Sequence, residues 1–476
     1  MAKTVYLYTV GCQMNVLDSE LVASELLAAG YQLVHSPRAA DVILLNTCSV
    51  RQHAEDKIYS ALGRLKHAKQ RRRQRIIGVL GCLAQKDQAQ ILRRAPHVDL
   101  VLGPGQLGRL REALEEIENG RGPVVYTSWP RTAGTRAEIA RSFASFDPPR
   151  RSEVRAIRHQ ALVRVMFGCD KFCTYCVVPS VRGPEQSRPA AEIEAEVRRL
   201  ADQGVVEVTL IGQTVNSYHD RSSGRSVRLA DLLYRIHDTP GLRRIKFVTN
   251  HPNHMDDDLL MAVRDLPKVN PYFHVPAQSG SDRMLKLMKR GYTAAEYWQM
   301  LQRIRSIVPG AAITSDFIVG FCGESEEDFQ QTVDLVRRAR FKNCFIFKYS
   351  PRPGTKAAEL LADDVPEPVK RLRNNQLLAI QNAISLEDNQ ALVGQFMEVL
   401  VEGPSKVGRK LCGPAAGQLV GRTRCDRIVV FDGQPELAGR IVPVLIQRAE
   451  AVTLFGALAD CQPTPPLAAC DACKAH

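Results

Sequence analysis

The sequence predicts an α/β protein with three modules: an N-terminal doubly wound parallel sheet, a central partial β/α barrel and a small C-terminal antiparallel β-barrel. Apolar strand-like runs alternate with helical stripes in the first part of the chain, and a second alternating series begins at Ala161. From Phe396 onward, short strands are separated by Gly-rich turns. Continuous apolar strands between helices indicate a buried parallel sheet, whereas short strands between turns indicate an all-β module.

In the first module, four apolar, β-prone runs are expected to be parallel strands, at residues 5–10, 41–45, 75–80 and 98–102. The helix after the first strand is expected to end near Gly30. A cysteine follows each of the first three strands: Cys12, Cys48 and Cys82, which we call the N-terminal cysteine triad. Because the carboxyl ends of successive parallel strands share one crevice, the three thiols are expected to converge there.

The central module is expected to contain six strand–helix units, with strands at residues 161–167, 206–211, 245–249, 272–275, 312–319 and 344–349. In β/α barrels, ligands sit at the carboxyl ends of the strands. Five residues in those positions are therefore candidates for binding a cofactor: Gly212, Gln213, Gln278, Ser279 and Gly320. The alternative is that they serve only the turns that end the strands.

Changes in composition divide the chain further. The first module is expected at residues 1–125, and residues 126–155, rich in Arg, Ser and Pro, are expected to be a linker. The central module is expected at 156–388 and the β-barrel at 389–459. Residues 460–476 have the composition of a disordered tail, so Cys470, Cys473 and His476 are not expected to form a metal site.

The chain is basic, with 64 Lys and Arg against 51 Asp and Glu and a formal net charge of +13. This excess favours a polyanionic partner, nucleic acid first, although it also serves solubility alone. There is no apolar run long enough for a membrane span and no signal peptide at the start, so a cytoplasmic protein is expected. In a reducing compartment, clusters among the thirteen cysteines indicate metal binding or catalysis rather than disulfides.

Cys169, Cys173 and Cys176 have the spacing C-x3-C-x2-C directly after the first expected strand of the central module. We call residues 169–176 the Cys169 loop. Iron–sulfur clusters are usually held by four Cys thiolates, so three on one loop leave one iron open. That iron is expected to bind S-adenosylmethionine, whose reductive cleavage yields a radical. The alternative is a structural zinc loop completed by a distant ligand. For the N-terminal cysteine triad, the alternative is three small buried apolar side chains.

Short motifs beside these cysteines extend over nearly the whole chain: GCQMN at 11–15, NTCSVR at 46–51, GCLAQ at 81–85, VVPSVRG at 177–183, HVPAQSGS at 274–281 and SPRPGT at 350–355. Together with the Cys169 loop they resemble the methylthiotransferases. The segment LIGQTVNSY at 210–218 resembles the subgroup that modifies isopentenyladenosine in tRNA better than the subgroup that acts on an aspartate of a ribosomal protein.

The resemblance implies an N-terminal methylthiotransferase domain, a central radical S-adenosylmethionine domain and a C-terminal RNA-binding barrel called TRAM. It also implies two 4Fe–4S clusters, one on the N-terminal cysteine triad and one on the Cys169 loop, with no catalytic residue assigned beyond these ligands. The implied reaction is methylthiolation at C2 of isopentenyladenosine at position 37 of tRNA. The implied partners are the anticodon stem-loop and an electron donor of the flavodoxin or ferredoxin type, with a monomeric enzyme and no membrane.

Two positions depart from the family pattern: Cys322 stands where Pro is usual, and Asn250 where Ser is expected. In the C-terminal module, Arg422, Arg424 and Arg427 are expected to contact RNA phosphates, because small β-barrels bind nucleic acids through basic faces. Two other functions remain open. One is the same chemistry on a protein side chain. The other is a non-catalytic Fe–S or zinc protein that binds RNA and does not cleave S-adenosylmethionine.

Overall fold

The computed structural model describes residues 2–49, 52–127, 147–222, 224–406 and 417–459. Its strands are β1 Thr4–Val10, β2 Gln32–Leu33, β3 Val42–Thr47, β4 Ile76–Gly81, β5 Leu100–Leu102, β6 Val124–Tyr126, β7 Gln160–Arg164, β8 Met166–Phe167, β9 Gln186–Ser187, β10 Glu207–Ile211, β11 His219–Asp220, β12 Val227–Arg228, β13 Arg244–Phe247, β14 Tyr272–His274, β15 Ala312–Val319, β16 Asn343–Lys348, β17 Phe396–Pro404, β18 Gln418–Thr423, β19 Ile428–Asp432, β20 Ile441–Ala449 and β21 Thr453–Leu458.

The α-helices are α1 Gln13–Ala28, α2 Gln52–Arg71, α3 Cys82–Asp87, α4 Gln90–Arg94, α5 Leu110–Glu118, α6 Val178–Arg182, α7 Ala190–Asp202, α8 Leu229–His237, α9 Asp257–Asp265, α10 Asp282–Leu287, α11 Ala294–Ile307, α12 Glu326–Ala339, α13 Lys356–Leu360 and α14 Glu367–Gln390. Among these residues, no helix is both long and apolar enough to cross a membrane. The chain forms two compact units. The first comprises Met1–Arg158, Leu162–Pro189 and Ile211–Gln213, and the second His159–Ala161, Ala190–Leu210 and Thr214–His476.

The first unit contains the predicted parallel sheet, in the strand order β2-β1-β3-β4-β5-β6. Alternate side chains of a strand point to opposite faces. Val42 and Leu44 accordingly pack with α1 and α5 on one face, whereas Ile43 and Leu45 pack with α2, α3 and α4 on the other. Helices on both faces confirm the doubly wound architecture. The two strands absent from the prediction, β2 and β6, have two and three residues, too few to show an apolar pattern.

The second unit contains most of the predicted β/α series. β10 pairs in parallel with β13, and β14, β15 and β16 form a second parallel group, with α-helices in the connections. The expected strands correspond to the observed ones to within a few residues. The exception is the predicted strand 161–167, which is divided into β7 and β8, and β8 pairs antiparallel with β9 in the first unit.

The C-terminal strands of the second unit close into a barrel in the order β17-β18-β19-β21-β20. Its core contains Val399, Val401, Leu419, Phe431 and Val444. Neighbouring strands are antiparallel apart from β19 and β21, which run in parallel because β21 lies between β19 and β20. The predicted small barrel is therefore confirmed, with one parallel pair that the sequence pattern did not reveal. Closure leaves no strand edge free for unwanted pairing.

Candidate functional site

The N-terminal cysteine triad lies at the ends of three neighbouring strands of the first unit. Val10 is aligned with Thr47 and Thr47 with Gly81, so β1, β3 and β4 end at the same level of the sheet. Cys48 continues this alignment, since its N–H donates to the Val10 carbonyl over 3.0 Å. Parallel pairing therefore places Cys12, Cys48 and Cys82 along one sheet edge. Their joint binding of a cluster stays a prediction.

Buried amides form the floor beneath these cysteines. The Asn46 side-chain amide donates to the Asn15 carbonyl at 2.9 Å and to the Ser19 hydroxyl at 2.8 Å. Asn15 in turn accepts the backbone N–H of Cys12 at 3.3 Å. Gly81 lies against this floor with φ +87°, and a Cβ there would be 2.3 Å from the Asn46 side-chain oxygen. The close approach explains why glycine precedes Cys82.

The electrostatics of the triad favour one thiolate. A hydrogen bond with Cys48, the positive charge of Arg182 and backbone N–H groups together overcome desolvation and lower the pKa of Cys12 to about 5. Burial has the larger effect at Cys82 and raises the pKa of that thiol, while the charge of Arg182 opposes the increase. Thiolates are the form in which cysteines bind metals. Cys12, which is the exposed member, is thus more readily ionised than Cys82.

The Cys169 loop belongs to the same unit and is closed at its base by backbone contacts. Gly168 has φ +61°, and a Cβ there would be 1.9 Å from the Pro184 carbonyl oxygen. The next residue, Cys169, donates its N–H to the Gly183 carbonyl at 3.1 Å. Within the loop, the Cys176 N–H donates to the Cys173 carbonyl at 3.1 Å. The three cysteines are partly exposed, and α6 follows the loop directly.

Among the described residues, the side chains of neither cysteine set lie close enough together to coordinate one metal ion. Over the described ranges, no three Cys, His, Asp or Glu side chains converge closely enough to hold a metal ion. The donor chemistry nevertheless fits iron–sulfur clusters, which bind Cys thiolates, because each set offers three thiols. The buried Ser49 hydroxyl beside Cys48 also finds no hydrogen-bond partner among those residues.

A buried ion network, which no sequence pattern predicted, connects these parts of the first unit. The Arg182 guanidinium donates to the Asp18 carboxylate at 2.7 Å and to the Cys82 sulfur at 3.3 Å. The other Asp18 oxygen accepts from Arg164 at 3.1 Å, and Arg164 also bonds to Asp147 at 2.7 Å. Arg182 belongs to the VVPSVRG motif and Asp18 follows the GCQMN motif by three residues, but no spacing rule pairs residues so far apart in the chain.

The five candidate cofactor contacts are divided between the two units. Gly212 and Gln213 belong to the first, and Gln278, Ser279 and Gly320 to the second. Gln278 has φ +72° and joins β15 through its backbone, donating to the Asp316 carbonyl at 2.8 Å. The Ser279 hydroxyl is buried and bonds to Thr332 at 3.2 Å. The Gly320 N–H donates to Glu324 at 2.6 Å. Their contact with S-adenosylmethionine stays a prediction.

The three arginines expected to bind RNA all contact other parts of the second unit. Arg422 bonds to Glu402 and Asp426, each at 3.0 Å. Arg424 donates to the carbonyls of Pro267 and Val269, and Arg427 donates to Asn389. These contacts use some of the five N–H donors of each guanidinium. A fourth arginine, Arg448, was not predicted from the sequence. It is exposed, and its guanidinium carbon lies 3.7 Å from the centre of the Phe455 ring.

The two departures from the family pattern are both buried. Burial raises the pKa of the Cys322 thiol. The Asn250 side-chain amide donates to the His274 carbonyl at 3.1 Å. Nothing in these contacts gives either residue a chemical role. Cys470, Cys473 and His476 lie outside the described residues.

Comparisons with known families match three parts of the chain. A model described as uncharacterized protein family UPF0004 matches residues 4–103. The Radical SAM superfamily matches residues 163–336, and the TRAM domain matches residues 390–459. The last two matches cover the β/α series and the closed barrel.

Curated relatives match over almost their full length, and three carry the name tRNA-2-methylthio-N(6)-dimethylallyladenosine synthase. The protein from Rhodopirellula baltica is 56% identical over 96% of this chain and 95% of its own. The one from Syntrophotalea carbinolica is 44% identical over 94% of this chain and 98% of its own. The one from Moorella thermoacetica is 44% identical over 96% of this chain and 99% of its own.

Two solved structures of a radical S-adenosylmethionine methyltransferase, TsrM, from Kitasatospora setae share the fold. The structure with cobalamin and a 4Fe-4S cluster is 15% identical and covers 75% of this chain and 77% of its own, with a TM-score of 0.51. The structure with tryptophan and an S-adenosylmethionine analogue is also 15% identical. It covers 75% of each chain, with a TM-score of 0.53.

Proposed function

Because this chain belongs to the tRNA-2-methylthio-N(6)-dimethylallyladenosine synthase family, we propose that it adds a methylthio group to C2 of N6-isopentenyladenosine at position 37 of tRNA. The observation that carries this proposal is 56% identity to a protein of that name over 96% of the chain. The chain is a tRNA methylthiotransferase of the radical S-adenosylmethionine type.

The Cys169 loop is proposed to hold the 4Fe–4S cluster that binds S-adenosylmethionine. When bound, these cofactors supply one-electron chemistry that removes hydrogen from an unactivated carbon, which no protein side chain can do alone. The protein's part is to position them. The Gly168 turn and the bond from Cys169 to Gly183 hold the base of the loop in place. Gly212, Gln213, Gln278, Ser279 and Gly320 are proposed to contact S-adenosylmethionine.

The N-terminal cysteine triad is proposed to hold a second 4Fe–4S cluster, close to the source of the inserted sulfur. The lowered pKa of Cys12 favours the thiolate that a cluster requires, and the alignment of β1, β3 and β4 supports three ligands on one sheet edge. Both cysteine sets belong to one compact unit, which suits the transfer of sulfur to a carbon that the radical has activated.

The closed C-terminal barrel is proposed to bind the tRNA. RNA is read specifically where its bases are unstacked, and an anticodon loop offers such bases. Moving the target base out of its stack costs a few kcal/mol and is least costly in a loop. We further propose a monomer in the cytoplasm that receives electrons from a donor of the flavodoxin or ferredoxin type.

Anaerobic turnover with defined RNAs tests this function. Anticodon stem-loops carrying isopentenyladenosine, threonylcarbamoyladenosine or unmodified adenosine are incubated with reconstituted enzyme, S-adenosylmethionine and reductant. Nucleoside mass spectrometry is expected to show methylthio product from isopentenyladenosine alone, and none with Cys173→Ala. Product from threonylcarbamoyladenosine alone would overturn the choice of base and leave the chemistry standing. Thiolation of a ribosomal protein with no RNA product would overturn the RNA substrate itself.

A further inference from the structure

One buried guanidinium connects the two cysteine sets. Arg182 ends α6, the helix that follows the Cys169 loop, and is 6% exposed. Its Nε donates to the Cys82 sulfur at 3.3 Å, and its NH2 group donates to Asp18 at 2.7 Å. The residue after it, Gly183, accepts the N–H of Cys169 at 3.1 Å. A continuous path of contacts therefore runs from the first cysteine of the Cys169 loop to the last cysteine of the triad.

Packing around this connection is tight and apolar on its other side. Cys82 forms a small buried cluster with Val177 and Val181 of the α6 region. Cys82 therefore packs with apolar side chains while its sulfur accepts a hydrogen bond from a guanidinium. An N–H···S bond in such a dry environment is stronger than it would be in water, because the effective dielectric constant is low.

Asp18 is bonded to two arginines, so its single negative charge does not neutralise Arg182 alone. One carboxylate oxygen bonds to Arg182 and the other to Arg164 at 3.1 Å, with Asp18 only 1% exposed. Buried charges are usually paired closely. Arg182 also contacts the Cys82 sulfur, which balances a positive charge once it is a thiolate ligand.

We infer that Arg182 is a positioning residue for the N-terminal cysteine triad: it holds Cys82, ties the triad to the Cys169 loop, and raises the reduction potential of a cluster bound there. Hydrogen bonds to sulfur and local charge are two of the factors that set Fe–S potentials. Outer groups that hold metal ligands commonly change metal affinity by about 10- to 100-fold when they are removed. The inference depends on the proposed function only for the existence of the second cluster.

The test isolates that cluster in the full-length chain. Cys169, Cys173 and Cys176 are replaced by Ala so that only the triad binds iron, and each variant is reconstituted anaerobically. Iron and sulfide are measured, and the midpoint potential is found by redox titration followed by electron paramagnetic resonance. On this background, Arg182→Gln is expected to lower the potential and Asp18→Asn to raise it. Arg182→Lys keeps the charge and is expected to lie between Arg182→Gln and the parent.

Arg150→Gln is the matched control. Arg150 has a side chain that is 2% exposed and pairs with Glu20 at 3.0 Å in the same unit, so it is a buried arginine that, like Arg182, forms an ion pair with a carboxylate. Its loss is expected to reduce stability without shifting the potential. If Arg182→Gln does not fold, the midpoint potentials of Asp18→Asn and Arg182→Lys are compared with that of the parent. The direction and size of those two shifts then test the inference.

Each outcome has one meaning. A lower potential in Arg182→Gln than in Arg150→Gln, or at least a tenfold loss of iron affinity in the former alone, supports the role of Arg182. Equal potentials and equal iron contents in those two variants would overturn it while leaving the proposed function intact. Failure of the background variant to bind any iron would overturn the second cluster, and the role of Arg182 with it.

Discussion

Replacing Gly168 with Ala is expected to abolish loading of the cluster on the Cys169 loop while most of the fold survives. Gly168 has φ +61°, a conformation that costs an L-residue roughly 1–2 kcal/mol. The added Cβ would also lie 1.9 Å from the Pro184 carbonyl oxygen and 2.4 Å from that of Gly183. Both oxygens belong to the backbone, so no flexible side chain can move aside to relieve the overlap.

The displacement follows from these distances. A normal carbon contact is about 3.5 Å, so the two segments must separate by roughly 1.5 Å. The hydrogen bond from Cys169 to Gly183, now 3.1 Å long, cannot survive such a movement, and its loss costs about 1 kcal/mol. Metal sites tolerate errors in ligand distance of only about 0.2 Å. The expected penalty of about 2–3 kcal/mol therefore matters less than the displacement of the first ligand.

Gly204→Ala is the matched control for backbone strain. Gly204 has φ +86°, but a Cβ there would meet nothing within 4 Å. It is expected to lose roughly 1–2 kcal/mol of stability and keep its full iron content. Iron and sulfide analysis, formation of 5′-deoxyadenosine and thermal unfolding are measured for both variants. Wild-type iron and 5′-deoxyadenosine formation in Gly168→Ala would refute the argument that backbone contact holds the loop.

The remaining predictions concern the two clusters and the RNA. Cys173→Ala is expected to lose one cluster and all reductive cleavage of S-adenosylmethionine, so normal formation of 5′-deoxyadenosine would contradict it. Replacing the whole N-terminal cysteine triad with Ala is expected to leave one cluster per chain and to abolish thiolation but not uncoupled cleavage. Unchanged iron content would argue against that. Arg422→Ala with Arg424→Ala is expected to flatten the salt dependence of tRNA binding, by roughly one unit of slope for each phosphate that is no longer neutralised. An unchanged slope with lower stability would show that both arginines act inside the protein, and Arg448→Ala then tests an exposed arginine of the barrel.

Much of the fold could be predicted because its signals are local. The apolar runs before Cys12, Cys48 and Cys82 indicate parallel strands, and the carboxyl ends of such strands meet at one edge whatever else the chain does. The same periodicity located most strands of the β/α series and the C-terminal barrel. Periodicity did not reveal β2 and β6, because these strands are too short to show a pattern. It also did not reveal the parallel pairing of β19 with β21, because that pairing depends on the order of the strands in the barrel.

The surroundings of the cysteines could not be predicted in the same way. Asp18 and Arg182 are 164 residues apart, and either one would be read alone as a surface charge. Likewise, the basic residues of the C-terminal module suggested a phosphate-binding face, whereas Arg422 and Arg424 contact groups of their own unit.

The sequence by itself determined which cysteines follow strands, which loop carries three thiols, and where the small barrel begins. These features depend on the period of side chains within one element and on spacing along a few residues. Only the tertiary structure decided that Arg182 lies between Asp18 and Cys82, and that Arg422 bonds to Glu402 and Asp426. The physical reason is that a charge finds its partner only when two distant surfaces pack together, and burial then makes that pairing obligatory.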